Sequence, residues 1–94
     1  MSLERIHVIL GGRVQGVGFR FFARTEARAL GVTGWVMNRS DGKVELEAQG
    51  SAAALEAYRA KLKEGPPIMA WVEDYVETPL PPFEGDKAFI IRAT

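Results

Sequence analysis

Four glycines, at positions 11, 12, 16 and 18, crowd into a short stretch that ends in Phe19 and Arg20. Glycines this close together mark backbone that takes unusual angles or lies against something else. A loop of small residues running into a helix leaves several N–H groups without intrahelical partners. Those donors, with the helix dipole behind them, make an anion site. The spacing fits neither Gly-x-Gly-x-x-Gly nor the Gly-Lys-Ser/Thr of a Walker loop, so nucleotide binding by those routes is unsupported.

Arg20 falls in the first turn of the helix that the following pattern predicts. A cation there opposes the macrodipole, at a cost of roughly a few tenths of a kcal/mol. Either Arg20 is a solvated side chain that tolerates this, or it joins the amides in binding a dianion, which reverses the sign. The planar guanidinium fork suits the second role, since it donates two parallel hydrogen bonds to phosphate oxygens. Arg13, earlier in the loop, reads as solvent-facing, and Phe19 and Phe22 read as core anchors beneath it. Asn38, close to a hairpin, reads by itself as a turn former or backbone cap. Its place slightly inside a strand, where asparagine is disfavoured, hints at another task. The only histidine, His7, reads as structural or partly exposed. No Ser/His/Asp set and no His/carboxylate metal cluster is apparent, and there is no cysteine.

Positioning these residues requires a scaffold, and the periodicities supply one. Ile6, Val8 and Leu10 predict a first strand, with the glycine cluster as a loop after it. Phe19, Phe22, Ala23, Ala27 and Leu30 recur at helical spacing up to Gly31. Trp35 to Arg39 reads as a strand, Ser40-Asp41-Gly42 as a hairpin turn, and Lys43 to Gln49 as a strand with Val44, Leu46 and Ala48 inward. Ser51 is placed to cap a second helix with the stripe Leu55, Tyr58 and Leu62, stopped by Gly65-Pro66-Pro67. Met69 to Thr78 predicts a fourth strand with Ala70, Val72 and Val76 on one face and Asp74 as an exception. A proline-rich loop follows, then a short closing strand over Ala88 to Ala93.

The order βαββαβ plus a short C-terminal strand is solved most simply by an α+β, ferredoxin-like α/β sandwich with two helices on one face of the sheet. Strands one and two then run parallel with strand three between them, about 10 Å apart at twice the usual ~4.8 Å spacing. The glycine loop and Asn38 thereby reach the same sheet edge.

The 94 residues are read as a single domain spanning 1–94, with 47% hydrophobic residues and twelve basic against twelve acidic side chains. Such a balance provides no global field toward nucleic acid or a membrane surface. No stretch has a signal peptide's layout or a membrane span's length, which leads to a soluble, cytoplasmic reading.

The segments Gly12-Arg13-Val14-Gln15-Gly16-Val17-Gly18-Phe19-Arg20 and Gly34-Trp35-Val36-Met37-Asn38, with Asp41-Gly42-Lys43-Val44-Glu45 and Gly50 after them, resemble the signature of the acylphosphatases. The likeness runs through the whole chain in order. It implies hydrolysis of acyl phosphates to a carboxylate and inorganic phosphate, with no metal or cofactor. It also implies that Arg20 binds the substrate phosphate, that Asn38 orients the attacking water, and that the loop from Gln15 through Gly16, Val17, Gly18 and Phe19 completes the cradle. Inorganic phosphate is then expected as product and inhibitor, and the protein as a monomer.

A rival reading comes from the RNA-recognition module, which shares this chain order. It expects aromatic and basic residues together on the central strands. Arg5, His7 and Ile9 on strand one, facing Lys43, Glu45 and Glu47 on strand three, are mixed in charge and poor in aromatics. A sensing or maturation module inside a larger protein is a third class. The carboxylates Glu45, Glu47, Glu73, Asp74 and Glu77 read as solvated strand faces.

Overall fold

The computed structural model describes residues 3–16, 18–66 and 71–93. Strands β1 (Leu3–Arg13), β2 (Thr33–Asn38), β3 (Val44–Ser51), β4 (Trp71–Leu80) and β5 (Phe89–Ile91) alternate with helices α1 (Phe19–Leu30, after β1) and α2 (Ala52–Glu64, after β3). They form one five-stranded sheet in the order β4-β1-β3-β2-β5. β3 is antiparallel to both β1 and β2, so those two run parallel with β3 between them, and β5 pairs parallel to β2.

Alternation along the strands sends one row of side chains toward the helices. Ile6, Val8, Leu10, Val36, Val44 and Leu46 are all buried there. From α1 the residues Phe19, Ala23 and Ala27 enter the same core, one turn apart, and from α2 the residues Leu55, Tyr58 and Leu62. Phe22 and Leu30, expected in the α1 stripe, are only partly buried. Each large side chain fully buried in this way contributes roughly 1.5–3 kcal/mol. Ser51 caps α2 as its position suggested: its Oγ accepts from the Ala54 amide at 3.1 Å. Gly31, in the left-handed region, closes α1 and turns the chain into β2.

Three expectations need correction. Gly11 and Gly12 are not loop but the end of β1, paired with Asp74 and Val72 of β4. The closing strand is shorter than expected, Phe89–Ile91. In β4 the register passes from Gly11↔Asp74 to Gly12↔Val72, leaving Glu73 as an extra residue in a bulge. The bulge inverts the alternation, so Val72 and Tyr75 pack on the core while Val76 is 59% exposed on the opposite face. Met69 and Ala70, expected in this strand, lie outside the described residues.

Candidate active site

The loop between β1 and α1 is held at both ends by side chains sunk in the core. Val14 and Phe19 are each 1% exposed. The Phe19 ring also meets Phe22, with centroids 5.8 Å apart. Phe19 therefore offers the site only its backbone, as its reading as an anchor implied. Between the anchors, Gly16 and Gly18 take positive φ of 72° and 76°. Gly18 is the N-cap of α1, with no side-chain cap and no acidic residue in the first turn. Its carbonyl accepts from the Phe22 amide at 3.0 Å, which starts the helical ladder and leaves the amides of the first turn directed outward. A Cβ at Gly18 would meet nothing within 4 Å. Glycine is required there for its left-handed backbone, and the space in front of the helix terminus is open. Val17 lies outside the described residues.

Arg20 stands in this first turn, partly exposed. Among the described residues it makes no ion pair, unlike Arg5, Arg39 and Arg59. Arg13 is occupied differently: its guanidinium lies 5.6 Å from the centroid of the Trp71 ring.

Asn38 is the last residue of β2, opposite Val44 and in the same row as Val36. That row faces the helices, so the carboxamide sits at the end of the core where α1 begins. Its Oδ1 is buried and has no hydrogen-bond partner among the described residues. A buried carbonyl oxygen left unpaired costs about 1–3 kcal/mol, and such atoms call for an explanation.

Gln15 behaves in a way its position in the loop did not announce. Its side-chain amide reaches the β2–β3 turn, with Nε2 donating to the carbonyls of Arg39 at 2.7 Å and Lys43 at 2.8 Å. The partners are 24 and 28 residues away in sequence, so no local spacing signals the contact.

Cavity size does not single out this edge. A cavity of about 470 Å³ opens beside the end of β2, lined in part by Met37, Asn38 and Arg39. A larger one of about 630 Å³ is lined in part by Leu80 to Phe83 and includes neither Asn38 nor any residue of the β1–α1 loop. A phosphate needs converging donors more than volume.

On the sheet face away from the helices Arg5 and His7 each meet a carboxylate. Arg5, 5% exposed, pairs with Glu47 and Asp86. Burial alone would lower its pKa; hydrogen bonds to Asp86 and Glu47 more than reverse this and raise it. His7 Nε2 lies 2.7 Å from Glu45, which also meets Arg39. Glu45, Glu47 and, on the helix side, Glu77 are thus paired groups rather than simply solvated ones. Arg92 lies over the Trp35 ring on this face, 4.4 Å from its centroid. With Glu45 and Glu47 alongside, the face is mixed in charge, unlike the basic, aromatic surface of an RNA-recognition sheet. Among the described residues no cluster of His, Asp and Glu is arranged to hold a metal, and no helix is long and apolar enough to cross a membrane.

A family model described as acylphosphatase matches residues 6–91. An acylphosphatase of Acidiphilium cryptum is 48% identical over 88 residues, spanning 94% of this chain and 94% of that one. One of Bifidobacterium longum is 57% identical over 65 residues, 69% of this chain and 67% of the relative. In three dimensions the crystal structure of acylphosphatase from Bacillus subtilis is similar with a TM-score of 0.89 at 41% identity. The match covers 97% of this chain and 99% of that one.

Proposed function

This chain belongs to the acylphosphatase family and hydrolyses acyl phosphates, and on that premise we propose that Arg20 and the loop amides hold the phosphate while Asn38 places the water. The amides of Gly16, Val17, Gly18, Phe19 and Arg20 form the cradle, and the Arg20 fork closes on two phosphate oxygens. The combined positive end of α1 and the guanidinium offsets the charge of the dianion. The Asn38 carboxamide hydrogen-bonds a water on the side of phosphorus opposite the acyl oxygen. Water attacks phosphorus in line, the P–O bond to the acyl group breaks, and the carboxylate leaves with the bonding electrons. The water's proton passes to a phosphate oxygen of the substrate.

This division of labour asks little of acid–base groups, because a carboxylate is a good leaving group and phosphoryl transfer depends on positioning and charge stabilisation. The observation that carries it is Asn38 Oδ1, buried and unpartnered, at the sheet edge where α1 opens with an uncapped first turn. The test is hydrolysis of benzoyl phosphate with inorganic phosphate as inhibitor. Competitive inhibition supports the cradle; inhibition unaffected by substitution of Arg20 sinks it.

The same proposal takes the working form to be a cytoplasmic monomer. The long edge strand β4 carries Glu73, Asp74 and Pro79 and a bulge, features that discourage strand addition by a second copy. Sedimentation velocity that finds a dimer at working concentration would overturn this part.

A further inference from the structure

The β2–β3 turn, immediately after Asn38, is closed by two backbone hydrogen bonds. The Arg39 amide donates to the Lys43 carbonyl at 2.8 Å, and the Gly42 amide donates to the Arg39 carbonyl at 3.3 Å. The Gln15 carboxamide inserts against the same two carbonyls, at 2.7 Å to Arg39 and 2.8 Å to Lys43. Only an NH2 group can serve two carbonyl acceptors, so its orientation is fixed by its neighbours. Both donors of the side chain are used on the turn. The Gln15 side chain is thereby turned away from the role of phosphate ligand, although its backbone remains part of the loop.

We propose that Gln15 is a positioning residue that locks the phosphate loop to the turn after Asn38, fixing the distance between the held phosphorus and the water. The inference rests on the roles given above to the loop and Asn38. The physical argument is one of tolerance. The phosphate is held from the β1–α1 connection and the water from the end of β2, on elements joined in the sheet only through β3. The Val14 and Phe19 anchors fix the loop by non-directional packing against a core that also holds Val36 and Val44. The Gln15 amide is a direct tie between the two halves, and in-line attack is sensitive to errors on the order of 1 Å.

The experiment is a double-mutant cycle on benzoyl phosphate hydrolysis, with Gln15→Met, Asn38→Ala and the double variant. Thermal unfolding and the inhibition constant of inorganic phosphate are measured alongside. Gln15→Met keeps the side-chain length and removes both donors. Its kcat is expected to fall between about 10- and 100-fold, with phosphate inhibition within about twofold, since Arg20 and the amides remain. In the Asn38→Ala background the same substitution is expected to change kcat by less than about threefold, because the group whose placement it controls is gone.

Losses that multiply in the double variant overturn the coupling while leaving Asn38 its role. A fall in phosphate affinity with kcat unchanged overturns it too, making Gln15 part of the cradle alone. Undiminished kcat in Asn38→Ala sinks the Asn38 assignment and the coupling with it. If Gln15→Met does not fold, Gln15→Leu also removes both donors without adding charge, and it is read in the same way.

Discussion

The hydroxyl of Tyr58, in the middle of α2, donates a 2.8 Å hydrogen bond to the carbonyl of Ala23 in α1. Both residues are fully buried, and the contact ties the helix that follows the β1–α1 loop to its neighbour. Desolvation also pushes the Tyr58 phenol far above its ordinary pKa, so it remains a donor. Tyr58→Phe is expected to cost about 1 kcal/mol, seen as a Tm drop of roughly 4–8 °C. An unchanged Tm means the helices are held by packing alone.

Arg20→Lys keeps the charge at the α1 terminus and loses the fork. Activity on benzoyl phosphate is expected to fall about 10²–10³-fold, and stability to stay within about 0.5 kcal/mol. Turnover like that of the parent protein removes Arg20 from the phosphate site.

Asn38→Ala is expected to lower kcat by about 10²-fold or more, with KM little changed. Its Tm should be no lower than the parent's, because the oxygen removed is buried without a partner among the described residues. A rise in KM alone makes Asn38 a binding residue instead.

A Cβ built on Gly34 would lie 1.9 Å from the Glu47 carbonyl oxygen, at a backbone φ of +140°. Gly34→Ala must therefore displace β2 from β3, the pairing that carries Asn38 to its place. We expect a loss of roughly 3 kcal/mol or more, measured by urea unfolding. A soluble variant with an unchanged midpoint would falsify the close approach.

Arg59 Nε lies 2.8 Å from Glu77, and this hydrogen bond is the main reason the Glu77 pKa sits below its ordinary 4.5. A carboxyl depressed in the folded state contributes stability that is complete above its unfolded pKa and is lost as pH falls through the folded one. Glu77→Gln is expected to lower stability near neutrality, by less than about 1 kcal/mol for so exposed a pair. In strong acid it should have no effect. A Tm difference that persists below the carboxylate range argues for packing instead.

The proposed cradle was legible as a candidate because its signals are local. Glycines before a helical period, and a cation where the dipole disfavours one, are properties of neighbouring residues. Asn38 was visible only as an asparagine slightly out of place, and its role came from the resemblance. Gln15 illustrates what spacing conceals: its side chain answers to carbonyls on another element. The inward row expected for β4 failed for the same reason. The bulge at Glu73 is a property of the pairing with β1, and only the mismatch at Asp74 hinted at it.

Periodicity and turn chemistry by themselves determined the element order, the inward rows of β1 and β3 and both helices. Each follows from interactions within a few residues along the chain. Tertiary structure alone decided that Gly11 and Gly12 are strand, that Val76 faces outward while Tyr75 packs on the core, and that Gln15 binds the turn beside Asn38. These depend on which strand lies alongside and at what register, information held in surfaces that meet only once the chain has folded.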